Sequence, residues 1–401
     1  MGVDFCLSEE RLAIRDSVRR WCSHEYSLLQ REVILSSAQA YSAKHWAAFG
    51  AMGWLGLSMP QEVGGSGADV MEIAVLMEEF GRALVAEPYL GCVLLAGTAV
   101  AIAADSGQRR ELLEPMIAGR SLIALAHAEA HAATLPFDVR TRAHKRGVAG
   151  YLLSGRKSLV LGAANAQFLI VSARTAGDLE GRTGISLFVV DANAAGLSRR
   201  DYRLIDGTPA SDVTFCDVEV SDRSMLGTEG NASAALARAV QVAIIGACAE
   251  AIGAMEGAIF ATRDYLKARR AYGTTLSTLQ ALQHRMADML LELEMSRSIL
   301  DCALQEMGCG RSAERDCAIS GAKALVGESS RFVGANCIQL HGAQGMAESY
   351  VIGQYFKRLA VIDGLFGNSD FHLWQYACKA CGPPGESPLP QTAGVADLSR
   401  E

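Results

Sequence analysis

The stretch LQALQHRMADMLLELEMSRSILDCAL, residues 279–304, is the clearest guide to the fold. Its apolar residues recur at intervals of three and four, and Leu282, Leu293 and Leu300 fall along one stripe. A stripe of this length is typical of a long helix that packs in a bundle. Because the neighbouring apolar segments are also helical in period, we predict a helical bundle over residues 229–381.

The part of the chain that precedes the bundle has two different periodicities. After Ser8, which precedes two glutamates as a helix cap would, the pattern is helical and predicts a first domain of helices over residues 1–120. Over residues 121–228, apolar and polar residues alternate, as in TGISLFVVD and DVTFCDVEV, which predicts a small antiparallel β domain. The Pro-, Gly- and Ser-rich residues 382–401 are predicted to be a disordered tail. The predicted fold class is therefore α+β.

The composition limits the kind of protein and of partner. The chain has 401 residues, of which 50% are apolar and 20% charged, enough for two or three domains with a sizeable core. Its charge of −7, without a basic tract, argues against nucleic acid, and its longest apolar stretch, residues 90–104, is too short to span a bilayer. Eleven scattered cysteines favour reduced thiols, and the N-terminus lacks a secretory pattern. We therefore expect a cytoplasmic protein that is not inserted in a membrane.

Four motifs, taken together, carry a family resemblance. They are LGLSMPQEVGGSG (55–67), YLKARRAYG (265–273), LQALQHRMADM (279–289) and QLHGAQGM (339–346). The second resembles Y-x-x-x-R-x-Q-F-G, and the last resembles Q-x-x-G-G-x-G-Y, of the acyl-CoA dehydrogenase superfamily. The end of the chain is most similar to the small subunits of two-subunit members, such as pimeloyl-CoA dehydrogenase and the steroid side-chain dehydrogenases.

The resemblance implies a chemistry and a set of partners. Members of the superfamily use FAD: a carboxylate removes the α-proton of an acyl-CoA thioester while the β-hydride moves to the flavin. The flavin ring lies on the β domain of one subunit, and the bundle of a neighbour binds the ADP half. The implied partners are an acyl-CoA substrate, a neighbouring subunit and an electron-transfer flavoprotein as acceptor.

By motif position, the resemblance assigns cofactor binding to seven residues of the bundle: Arg269, Tyr272, Gln280, Gln339, Gly342, Gly345 and Asn368. Arg269 would pair with the pyrophosphate, because a guanidinium offers planar donors to phosphate, and Gln339 would bond the ADP part. The alternative is that Arg269 is a solvated helix charge.

The β domain lacks the side chains that contact the flavin ring in the family. The family reads T-E after the first strand and W-I-T or W-I-S after G-x-K, whereas this chain has Ala128 before Glu129 and has Leu159 and Leu161 after Lys157. Leucine and alanine cannot hydrogen-bond a ring, so we predict that this β domain holds a flavin ring poorly. Alternatively, Ser158 or backbone amides supply the hydrogen bonds.

The two family positions of the catalytic base are Phe366 and Ala243 here, and neither side chain can accept a proton. Glu250 lies on the same helix face as Ala243, about 10.5 Å further along the axis, and is the candidate base. The alternative is that Glu250 is a buried structural group with an arginine partner.

These features lead to three hypotheses about function. The first is the catalytically reduced small subunit of a heterotetrameric FAD-dependent acyl-CoA dehydrogenase of fatty acid or steroid side-chain degradation, with a larger homologue as partner. The others are a self-sufficient enzyme that uses Glu250 as base and a flavin-free scaffold subunit. No metal is predicted, because the order of His127, Glu129 and His131 differs from that of a zinc helix.

Overall fold

The computed structural model describes residues 8–130, 137–147, 150–177, 181–271, 273–308 and 312–381. In these residues, helices, a sheet and again helices follow one another along the chain, which confirms the predicted α+β class. The predictions for Tyr272, His131 and the tail at residues 382–401 fall outside the described residues.

Among the described residues, six α-helices form the first region. They are α1 (Glu9–Glu25), α2 (Leu28–Ser36), α3 (Ala43–Ala51), α4 (Val70–Ala83), α5 (Thr98–Ala103) and α6 (Ser106–Ile117). A π-helical segment, Leu90–Gly97, leads into α5 and is buried throughout. Serine side chains at Ser8, Ser27 and Ser42 each accept a hydrogen bond from a backbone N–H three residues on, which explains where α1, α2 and α3 begin.

In the described part of the chain, the second region is an eight-stranded sheet. Its strands are β1 (Ile123–Ala126), β2 (Arg142–Lys145), β3 (Gly150–Leu161), β4 (Phe168–Arg174), β5 (Ile185–Asp191), β6 (Leu197–Arg203), β7 (Pro209–Ser221) and β8 (Met225–Leu226). The order is β6-β7-β3-β2-β4-β5-β8, with β1 beside β4. Most pairs are antiparallel, but β4 runs parallel to β1 and to β2, so the predicted antiparallel sheet is wrong in this part. Alternation along one strand shows which residues are buried but not which way its neighbours run.

The third region is the helical bundle. Its helices are α7 (Ser233–Ala268), α8 (Gln280–Gly308), α9 (Ser312–His341), α10 (Val351–Gly364) and α11 (Ser369–Cys381). The short strands β9 (Arg270–Ala271) and β10 (Thr274–Thr275) form a hairpin between α7 and α8. Within the described residues, α7 alone has the length and apolar character to cross a membrane, but 94% of its most apolar window is buried inside the fold.

Helix α7 is central because it contacts α4 as well as α8, α9 and α10. Two glycines let the backbones of α4 and α7 touch. A Cβ added to Gly253 would lie 1.7 Å from the carbonyl oxygen of Glu78, and one added to Gly81 would lie 1.8 Å from that of Glu250. The first helical region and the bundle therefore share one core.

Candidate functional site

The motifs 265–273 and 339–346 meet at one end of the bundle. Helix α9 ends at His341, and the imidazole ring stacks on Tyr265 of α7, with ring centroids 4.1 Å apart. The Nε2 atom of His341 lies 3.2 Å from Oγ1 of Thr262, one turn earlier on α7. Burial lowers the pKa of His341 to about 4, so the ring is neutral near pH 7. His341 thus joins the last turn of α9 to the last turns of α7.

Three of the predicted cofactor residues are exposed at this end of the bundle. We call Arg269, Gln339 and Gly342 the Arg269 end. The guanidinium of Arg269 and the amide of Gln339 form no hydrogen bond or ion pair within the described part of the chain. Gly342 has a φ of 60° and open space where a Cβ would be, which favours glycine and leaves its backbone accessible. A phosphate-bearing ligand could reach these groups from outside.

Two further predicted cofactor residues, Gln280 and Gly345, differ in their exposure to solvent. Gln280 is the exposed first residue of α8, just after the turn whose Leu276 N–H donates to the carbonyl of Arg269. Gly345 is buried, and a Cβ there would lie 2.8 Å from the carbonyl oxygen of Ile338, so this glycine serves the packing of its own turn.

The structure does not place Asn368 with the Arg269 end. Its Oδ1 accepts the N–H of Phe371 at the start of α11. The adjacent Ser369 packs beside Gly327 of α9, which precedes Gln339 by about 18 Å along the helix axis at 1.5 Å per residue. Asn368 therefore caps a helix well away from Gln339.

On the β domain, Glu129 and Lys157 form a buried ion pair of 2.8 Å. The carboxylate of Glu129 also accepts from Oγ1 and N of Thr141 and from N of Arg140, and Lys157 donates to Ser172. Burial alone raises the pKa of Glu129, but Lys157 and these hydrogen bonds lower it more; burial lowers the pKa of Lys157 to about 8. The pair anchors the sheet, and neither group is available for proton abstraction.

The three positions that would face a flavin ring carry no hydroxyl and are packed against the core. Ala128 is buried, and Leu159 and Leu161 are partly buried. A Cβ added to Gly91 of the π-helical segment would lie 2.7 Å from Cβ of Leu161, so the end of β3 touches this segment directly. The N–H of Ser158 donates to the carbonyl of Ala128, so this amide is already used. The side chains of Ala128, Leu159 and Leu161 therefore offer no hydrogen bond to a flavin ring.

Neither of the two usual base positions carries a proton acceptor, and they differ in burial. Ala243 is completely enclosed in the core. One turn further along α7, a Cβ added to Gly246 would lie 2.3 Å from Cδ1 of Leu94, so α7 packs on the π-helical segment here. Phe366 is half-buried with a φ of 60°, and its carbonyl lies 3.0 Å from Nε2 of His372.

Glu250, the candidate base, belongs to a buried ion-pair network. Its Oε1 accepts from Nε of Arg358 at 2.6 Å, and Nη1 of Arg358 donates to Asp206 at 2.9 Å. Arg31 donates to the carbonyl of Asp206, so the network joins α2, α7, α10 and the turn between β6 and β7. Burial alone lowers the pKa of Arg358, but Glu250 and Asp206 raise it more and leave it above its ordinary value. The carboxylate of Glu250 is therefore buried and held by a guanidinium.

Three of these features were missed by reasoning from the sequence. The ring stack of His341 and the pair of Glu129 with Lys157 had a signal, because all three residues lie within the family motifs. An arginine partner for Glu250 was one of the alternatives, but nothing in the sequence indicated that it is Arg358, which meets Glu250 only through the fold. Among the described residues, which exclude His131, no three His, Cys, Asp or Glu side chains are close enough to hold a metal ion.

Three domain families match the sequence one after another. The acyl-CoA dehydrogenase N-terminal domain matches residues 8–120, the middle domain matches residues 124–218 and the C-terminal domain matches residues 234–378. The chain belongs to the acyl-CoA dehydrogenase family. The predicted family is thereby confirmed, and it is a family of oxidoreductases.

Similar proteins cover most of this acyl-CoA dehydrogenase family member. The 3-(aryl)acrylate reductase of Clostridium sporogenes is 31% identical over 324 residues, 79% of this chain and 85% of the relative. The solved structure of a variant of the steroid acyl-CoA dehydrogenase Tcur3481–Tcur3483 has a TM-score of 0.83 and 28% identity, and the match covers 94% of this chain and 98% of that one. The FAD complex of PigA has a TM-score of 0.86 and 22% identity, over 95% and 100% of the two chains, and shares the fold.

Proposed function

We propose that this chain is the catalytically reduced small subunit of a heteromeric FAD-dependent acyl-CoA dehydrogenase, with a larger homologue as partner. The observation that carries the proposal is the enclosure of Ala243, which leaves the usual base position on α7 without a proton acceptor and without access. The likeness to Tcur3481–Tcur3483, a steroid acyl-CoA dehydrogenase, supports both a two-chain enzyme and a steroid acyl group.

Only one half of an FAD site fits this chain. The Arg269 end offers a free guanidinium, a free amide and an accessible glycine backbone, which suit a pyrophosphate and the nucleoside attached to it. The face at Ala128, Leu159 and Leu161 offers no side-chain hydrogen bond to a ring. When bound, FAD supplies the acceptor for the hydride that leaves the acyl thioester. In our proposal the ring and the base belong to the partner.

The residues of this chain then have binding and positioning roles. Arg269 neutralises the pyrophosphate, Gln339 bonds the ADP part, and His341 with Tyr265 keeps these two residues at the same end of the bundle. The bundle, residues 229–381, thus serves both nucleotide binding and subunit assembly. An acyl-CoA substrate and an electron-transfer flavoprotein would act at the partner's half of the site, in the cytoplasm.

The first test compares the flavin content of the chain alone and co-expressed with a larger homologue. We expect the chain alone to carry no flavin and show no turnover, and the complex to show both. In the complex, Arg269→Gln weakens FAD binding about tenfold or more, because a charge-assisted hydrogen bond to phosphate is lost. Equilibrium dialysis of the flavin measures this change.

Arg270→Gln is the matched control, since Arg270 is the adjacent exposed arginine and has no described ion pair. It should leave FAD affinity unchanged. Full flavin and turnover by the chain alone would contradict the proposal. A complex that keeps its flavin after Arg269→Gln would instead support a flavin-free scaffold role.

A further inference from the structure

A cleft of about 420 Å³ lies on the sheet where β3, β7 and β6 pair. Thr214 of β7 pairs with Arg156 of β3 on one side and with Ser198 of β6 on the other, so these three residues form one row across the sheet. Ser158 also lines the cleft. We call this the Arg156 cleft.

Most of the charges that line the Arg156 cleft are already paired. Arg200 donates to Asp212 at 2.6 Å, and Arg199 pairs with Asp201 at 2.8 Å. The other oxygen of Asp212 accepts from the hydroxyl of Tyr202 and from the N–H of Leu159. Lys157, which also lines the cleft, is held by Glu129.

Arg156 is the exception among these charges. It is exposed, and its guanidinium makes no hydrogen bond or ion pair with any described residue. Within the described residues, the cleft therefore keeps one positive charge without a partner, while both carboxylate oxygens of Asp212 already accept hydrogen bonds.

The hydroxyl groups around Arg156 also lack hydrogen-bond partners among the described residues. The side chains of Ser158, Ser198 and Thr214 form no hydrogen bond within the ranges that the structure describes. A guanidinium and three hydroxyls are all donors, and a phosphate group presents three or four acceptor oxygens with negative charge. A neutral ligand would leave the charge of Arg156 unused, so the donor set matches phosphate best.

We propose that the Arg156 cleft binds a phosphate-bearing ligand through Arg156, Ser198 and Thr214. This site goes beyond the proposed function, because it lies on the β domain and uses none of the residues of the Arg269 end. A free diphosphate, a nucleotide and coenzyme A share the required phosphate chemistry, and the test separates these sources.

The test uses the full chain with Arg269→Gln, so that the bundle end does not contribute to binding. Titration calorimetry with inorganic pyrophosphate, ADP and coenzyme A should give saturable binding of at least one of them. Adding Arg156→Gln should weaken that binding about tenfold or more, since charged hydrogen bonds to phosphate are the strong ones. Equal affinities for all three probes would identify the phosphate alone as the ligand, and a tighter ADP or coenzyme A would identify the larger ligand.

Arg142→Gln is the matched control, because Arg142 is an exposed arginine of the same sheet without a described ion pair. It should leave the binding unchanged. Binding that is insensitive to Arg156→Gln, or no binding of any of the three probes, overturns the proposal. Neither result bears on FAD at the Arg269 end, which is tested in the complex.

Discussion

Arg358→Met is expected to lower the free energy of unfolding by about 3–5 kcal/mol, the usual cost of breaking a buried ion pair by removing one partner. The variant keeps most of the side-chain volume but leaves the carboxylates of Glu250 and Asp206 buried without their common cation. Denaturant unfolding, followed by circular dichroism, measures the change.

Lys357→Met is the matched control, because the neighbouring Lys357 forms an ion pair with the exposed Glu348 on the outside of α10. It should change stability by about 1 kcal/mol at most. Unfolding midpoints that are equal for Arg358→Met and the unmodified chain would refute the structural role of the network.

Glu250→Gln separates the two roles considered for Glu250. If Glu250 only supports the network, the variant loses stability, while the complex with the larger subunit keeps its flavin and its rate of flavin reduction by acyl-CoA. If Glu250 is the base, flavin reduction is abolished. We expect the first result, because Arg358 holds the carboxylate at 2.6 Å in the interior.

Acidification is expected to destabilise the fold between pH 6.5 and pH 4 through buried histidines. Burial lowers the pKa of His341 and of His372 from 6.5 to about 4. The unfolded chain therefore binds protons on these rings at a higher pH than the folded chain does. The stabilisation is complete above pH 6.5 and is lost as the pH falls to about 4. At 1.36 kcal/mol per pH unit, the loss is at most about 3 kcal/mol for each histidine.

His341→Phe tests this dependence at one site. It keeps an aromatic ring against Tyr265 but removes the titrating group, so the loss of stability between pH 6.5 and pH 4 should be smaller, by at most about 3 kcal/mol. His284→Gln, at an exposed position of α8, is the control and should follow the unmodified chain. Denaturant midpoints measured across this pH range test the prediction. Parallel plots of midpoint against pH for all three proteins would show that His341 does not cause the loss of stability.

Periodicity was sufficient to predict the order of helices, sheet and helices, because an element that is buried on one face has regularly spaced apolar residues in its own segment of the sequence. It could not predict that β4 runs parallel to β1, since strand direction depends on how the chain returns after β2 and β3. Motif position similarly indicated that Arg269 and Gln339 act together. The ring stack of Tyr265 and His341, which brings them to one end of the bundle, became visible only in the folded chain.

The candidate base shows the same limit more clearly. Helix geometry placed Glu250 on the face of Ala243, which is a local property of α7. Its partner Arg358 lies on α10 and Asp206 on the β domain, so no local pattern could choose between a base and a buried ion pair. The alternative interpretation, a buried structural Glu250 with an arginine partner, describes the contact with Arg358. A catalytic role for Glu250 stays a prediction.

The contact of α4 with α7 at Gly81 and Gly253 also bears on how the protein is made. While the ribosome is still translating the sheet, α4 has no α7 to pack on, and an apolar side chain such as Met77, which lies beside Gly246 of α7, stays open to solvent or to a chaperone. Helix α4 can therefore complete its packing only after α7, which lies much later in the sequence, has been translated. Nascent chains that stall before α7 should therefore be prone to aggregate.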